Sequence, residues 1–140
     1  MLKKILVFIF VMFATLSVQA LDAGDQGDYV LLDRNGKPLA VQMRYRISNG
    51  QWIMDGKTGD EDWHPVCHGT GQCRLVEAGK EDTDNWQSLL PEESQNKQIT
   101  CQKNIAFAFC RMGTLENSEY WWFAFDKQRR VVPIKLKRLN

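Results

Sequence analysis

With 140 residues, 44% hydrophobic composition and a formal net charge of +1, the chain has room for one domain with a sizeable core. It lacks the basic excess of a nucleic-acid-binding protein. It contains no glycine-rich phosphate loop, Gly-x-Ser-x-Gly elbow, His-Glu-x-x-His helix or haem-type Cys-x-x-Cys-His, so those nucleotide, hydrolase, protease and cytochrome signatures are excluded.

Residues 1–20 carry the pattern of an export signal. Lys3 and Lys4 form the positive n-region, 5–14 is an unbroken apolar run, and Val18-Gln19-Ala20 is a small-residue cleavage site. The run is shorter than the roughly 20 residues a membrane span needs. Cleavage after Ala20 leaves 120 of the 140 residues and removes Lys3 and Lys4, moving the net charge from +1 to −1. Leu21 follows the cut, not Cys, so no lipid anchor is implied. The mature chain is expected in the periplasm or outside the cell.

Residues 21–28 are acidic and glycine-rich and are expected as a flexible lead-in to a single domain over 29–140. Tyr29-Val30-Leu31-Leu32 reads as a first strand, and Asp33-Arg34-Asn35-Gly36 as a tight turn in which Asn-Gly supplies positive φ. Over 41–47, Val41, Met43, Tyr45 and Ile47 alternate with Gln42, Arg44 and Arg46, the period-two signature of a strand with one dry face. Ser48-Asn49-Gly50 turns the chain and 51–54 returns, giving an antiparallel meander.

Residues 55–71 contain Gly56, Gly59, Pro65, Gly69 and Gly71 and are expected as one long loop. It holds Asp60, Glu61, Asp62, Trp63 and both histidines, His64 and His68. Loops are where binding side chains concentrate. A carboxylate with His64 or His68 would make an acid–base pair. Metal ligation by both histidines is opposed by Pro65 and Gly69, which disfavour the helix that would align them. Trp63 flanked by acids suits contact with a basic partner. The bland alternative is a solvated acidic loop pinned by Cys67, with Trp63 tucked into the core.

An even cysteine count in an exported chain reads as disulfides. Cys67, Cys73, Cys101 and Cys110 allow three connectivities, one of them two local loops, 67–73 and 101–110. Their spacing does not match a zinc site.

Residues 74–77 read as a short strand. A short helical segment near 83–96 is expected, capped by Thr83 or Asp84, running through Trp86, Leu89 and Leu90, and stopped by Pro91. Strands follow at 99–102 and 105–110, then a loop over 112–118.

The run 120–125, Tyr-Trp-Trp-Phe-Ala-Phe, is the expected central strand. It places Trp121, Phe123 and Phe125 on one face and Tyr120, Trp122 and Ala124 on the other. Both faces are greasy, so either the core is two-sided or the Trp122 face binds something. After a turn at 126–129, Val132, Ile134 and Leu136 alternate with Pro133, Lys135 and Lys137, and Pro133 marks an edge there. The segment Leu32-Asp33-Arg34…Val41-Gln42-Met43-Arg44 echoes Phe125-Asp126-Lys127…Ile134-Lys135-Leu136-Lys137, as two amphipathic hairpins would. Ten acids fall within 55–93 and six basic residues between Lys127 and Arg138. The basic tail suits an exposed edge strand protected from aggregation.

These elements predict a mainly β protein: a small antiparallel sheet, as a meander, sandwich or partly open barrel, stapled by disulfides. The profile is similar in type to periplasmic inhibitors of cell-wall hydrolases and to immunity proteins against secreted toxins. The expected function is an exported binding protein that blocks a partner enzyme or toxin through Asp60, Glu61, Asp62, Trp63, His64 and His68. No catalytic residue, cofactor, metal, nucleic-acid partner or membrane association is expected. The alternatives are a small hydrolase using Asp60 or Asp62 with His64, and an envelope structural or small-ligand-binding domain using the aromatic face around Trp122.

Overall fold

The computed structural model describes residues 20–114 and 116–140; the expected export signal, up to residue 19, lies outside them. Alternating side chains and tight turns produce two antiparallel meanders. The first runs through β1 (Gly27–Leu32), β2 (Pro38–Ser48), β3 (Gln51–Thr58) and β4 (His64–Cys67). The second runs through β5 (Val76–Glu77), β6 (Ile99–Lys103), β7 (Phe107–Gly113), β8 (Ser118–Phe125) and β9 (Val131–Arg138). The first and last strands, β1 and β9, pair antiparallel and join the meanders into one sheet of order β4-β3-β2-β1-β9-β8-β7-β6-β5. The sheet curls into a half-barrel with β4 and β5 as its edges.

The hairpin echo has a physical basis in the turns. Asp33 Oδ1 accepts from the backbone N–H groups of Asn35 and Lys37, and Asp126 Oδ1 accepts from those of Gln128 and Arg130. Both turns place a left-handed residue at the same point: Gly36 at φ +78° and Arg129 at φ +62°. Arg129 carries a Cβ where its counterpart has none, and left-handed backbone costs a non-glycine residue roughly 1–2 kcal/mol. Arg129→Gly is therefore expected to stabilise the protein by about 0.5–1 kcal/mol, the gain being trimmed by glycine's freer unfolded chain. A urea midpoint unchanged or lowered by this substitution would count against the turn assignment.

Several expected boundaries move. Residues 21–28 carry a turn of 3-10 helix, Ala23–Asp25, and the start of β1, and they bury Leu21 and Asp25, in place of a flexible lead-in. The expected loop 55–71 contains the end of β3 and all of β4, because Asp55, Gly56, Lys57 and Thr58 keep pairing with β2. Pro65 is tolerated because β4 is an edge. β9 is not an edge strand, since β1 covers it at Leu136, Lys137 and Arg138. At Pro133 it pairs only with β8, so the expected edge holds locally. The helix α1 (Lys80–Gln87) has Gly79 at its N-cap, not Thr83 or Asp84; Thr83 is buried and bonds back to the Lys80 carbonyl. Pro91 ends that segment and opens the single turn α2 (Glu92–Gln95). Ile105 lies in the turn before β7, not in a strand.

β8 is central, with β7 and β9 on either side. Its two faces lie in two cores. Inside the half-barrel, Tyr120 joins Tyr29, Tyr45, Phe109, Met43, Met54 and Leu136, with Trp122 packed against them. Outside, α1 covers the sheet with Trp86, and Leu90 just beyond it, against Phe123, Trp121, Met112 and the Cys101–Cys110 disulfide. That disulfide joins directly opposed residues of β6 and β7, and Cys67–Cys73 closes the segment leaving β4. Both bridges are local, one of the three connectivities the sequence allowed.

Candidate binding site

One end of the half-barrel is closed. The 3-10 turn places Asp25, with no exposed surface, against the interior ends of β1, β7 and β8. Its carboxylate accepts from Arg111 Nη1 at 2.6 Å, the Tyr120 hydroxyl at 2.8 Å and the Asp22 backbone at 2.9 Å. Its carbonyl accepts from the Tyr29 hydroxyl at 2.5 Å. Burial, reinforced by neighbouring hydroxyl and carboxylate, pushes the Tyr29 and Tyr120 hydroxyls above the ordinary tyrosine value. Both therefore stay protonated as donors near neutral pH. Arg138 of β9 ties the closure to the last strand, donating to the Gln26 carbonyl at 2.6 Å. Above this plug, Phe109 stacks on Tyr45, with ring centroids 3.9 Å apart, and Tyr29 packs edge-on against it.

On the other side of this aromatic layer the half-barrel is open. A cavity of about 520 Å³ lies there. Its wall from the first meander is Leu31, Val41, Met43, Met54 and Gly56, and the second meander contributes Phe107 and Trp122. At the rim stand Thr58, His64, Val66 and Ile105. Gly56 shapes the wall: a Cβ there would meet Val66 Cγ2 at 3.0 Å and His64 Nε2 at 3.9 Å, so a side chain would crowd those of the paired strand β4. The rim is apolar as well as polar, with Ile105 69% exposed and Val66 44% exposed. Such a concave, mainly apolar cavity with a few polar groups is the usual form of a small-molecule site.

The residues expected to contact a partner divide among four places. His64 lies on the cavity rim. Asp60, Glu61 and Asp62 are exposed in the connection before β4. Trp63 is neither in the core nor free: its ring is covered by the Arg44 guanidinium at 4.1 Å and approached by the Lys57 ammonium at 5.2 Å. Arg44 is in turn held by Asp28 at 2.7 Å. His68 does not line the cavity; Asp55 Oδ1 lies 2.6 Å from its Nε2. Among the described residues no group of three or more His, Cys, Asp and Glu side chains gathers to hold a metal ion. Sequence reasoning missed the cavity walls at Met54, Gly56 and Phe107. The available signal was the doubly greasy β8, whose Trp122 face does line the cavity.

Asp55 is a buried carboxylate with two donors. Burial would raise its pKa, but the contacts from His68 and from Arg46 Nη2 at 2.5 Å outweigh that and hold it below the ordinary 3.8. The unfolded chain then takes up the proton at higher pH than the folded one. This contribution to stability is present in full above the ordinary value and is lost as pH falls through the folded one. Urea midpoints should therefore drop on acidification below about pH 4, and Asp55→Asn should flatten that part of the profile. Parallel profiles for the two proteins below that pH would reject the assignment.

No protein-family model, no curated protein and no solved structure matches the chain.

Proposed function

We propose that the protein is an exported binding protein and that the open mouth of the half-barrel is its binding site, which takes a small, mostly apolar ligand. The observation that carries this reading is the 520 Å³ cavity, floored by Leu31, Met43, Met54, Phe107 and Trp122 and rimmed by side chains that offer hydrogen bonds. Export is supported by two disulfides, which belong to oxidising compartments. The expected cut also fits the fold: Ala20 is exposed and Leu21, the next residue, is buried. No helix among the described residues is long and apolar enough to cross a membrane.

The test is a titration of the oxidised mature protein with uncharged N-phenylnaphthylamine, followed by the probe's fluorescence. One-to-one binding is expected. Thr58→Trp fills the rim opposite Val41 from an exposed position, so it should weaken binding by at least about tenfold without lowering the melting temperature. Absent binding, or equal binding by the variant, would remove the cavity from the argument.

A second reading keeps the inhibitor or immunity role. It is favoured by the unpaired outer edge of β4 beside the exposed Asp60, Glu61 and Asp62, since a free strand edge and an acidic tip together suit a basic protein partner. In that case purified cell-wall hydrolases would be inhibited by the native protein and by Thr58→Trp, and not by an Asp60→Asn, Glu61→Gln, Asp62→Asn variant.

A further inference from the structure

We infer that the ligand of this cavity is a single-chain amphiphile with an acidic head, held tail-inward as a fatty acid would be; the inference rests on the cavity being the binding site. The shape favours a chain. From Met54 to Thr58 the lining advances four residues along β3, about 14 Å at roughly 3.4 Å per residue. Midway stands Gly56, which adds no side chain of its own, with Val66 and His64 of β4 beside it. Its deep part is bounded by Met43 and Met54, whose flexible thioethers repack around different chain lengths. Carriers that must accept a range of tails use such adaptable walls, whereas a rigid ring needs a fixed outline.

The charge favours an acidic head. Among the described residues, those lining the cavity include His64 and Lys57, the latter with its ammonium 5.2 Å from the Trp63 ring, and no aspartate or glutamate. This is notable against the surroundings, where ten acids fall within 55–93. Asp60, Glu61 and Asp62 sit between Lys57 and His64 in sequence, yet they are exposed outside the lining. A carboxylate left at the rim would therefore meet the His64 imidazole and the Thr58 hydroxyl, with the Lys57 ammonium turning to it from the Trp63 ring, while its tail displaces water from the apolar floor.

The experiment is calorimetric titration of the oxidised mature protein, at low salt, with octanoate, decanoate and dodecanoate, then with dodecanol and dodecylamine. Affinity is expected to climb roughly fourfold per methylene, from about 0.8 kcal/mol per buried methylene, until the slot is full. Dodecanoate should bind at least about tenfold tighter than dodecylamine. A Lys57→Gln, His64→Gln double variant should weaken dodecanoate and leave dodecanol unchanged. Affinity that ignores chain length overturns the chain. Dodecylamine binding as tightly as dodecanoate overturns the acidic head. In both cases binding of N-phenylnaphthylamine keeps the cavity reading in place. Failure of that probe, dodecanol and dodecanoate alike removes the site itself.

Discussion

Asp25→Ala is expected to destabilise the protein by about 3–5 kcal/mol, because it takes the carboxylate away from a buried arginine. Arg111 is 3% exposed and donates to Asp25 from within the core. The same substitution removes the acceptor of the Tyr120 hydroxyl and of the Asp22 backbone, and with it the cap that shapes the 3-10 turn. At about 3–5 °C per kcal/mol for a domain this size, the melting temperature should fall by about 10–25 °C. A double substitution, Asp25→Ala with Arg111→Met, separates charge from packing. If the penalty is the buried charge no longer balanced by Asp25, the double variant recovers much of the loss, since well-packed apolar groups can replace a buried pair at little cost. A single-variant loss below about 1 kcal/mol by urea unfolding would mean that water reaches this end of the half-barrel and the plug does not close it.

Phe109→Ala should cost a similar amount, about 3–5 kcal/mol. Phe109 has no exposed surface and lies between Tyr45 and Tyr120, nearly parallel to both at 11° and 8°. Removing it leaves a void in a layer whose neighbours are fixed by strands on both sides. Tyr120 is further fixed by its bond to Asp25. The layer also separates the plug from the cavity, so the variant should lose near-ultraviolet circular dichroism before it loses sheet signal. Phe109→Leu keeps most of the volume and should cost less than half as much. Equal losses for the two substitutions would show that ring stacking, not the void, sets the penalty.

The strands and their faces were legible wherever hydrophobic alternation met a recognisable turn. Val41, Met43 and Tyr45 do point inward, and Trp121 and Trp122 do take opposite faces of a central strand. What the sequence hid was long-range pairing. Lys135 and Lys137 alternate as an edge strand would, and only the arrival of β1 from the other end of the chain covers β9. The glycines at 56 and 59 look like loop punctuation, but register with β2 holds residues 55–58 in the sheet. Asp25 sits in an acidic, glycine-rich stretch that resembles a solvated lead-in, because its partners Arg111 and Tyr120 lie 86 and 95 residues away. The cavity was announced only by the two greasy faces of β8. Its opposite wall comes from the other meander, which local pattern cannot place.

The pairing of the first strand with the last has a consequence for how the molecule matures. Hydrogen bonds join Asp28 to Asn140 and Arg138 to Gln26 across 112 residues of sequence. Loop closure over such a separation is slow and cannot begin until the final strand has been delivered. A chain stopped short of β9 leaves β1 with one neighbour and Arg138 absent from the plug. Premature termination near the C-terminus should therefore yield a protease-sensitive species and no partly active protein.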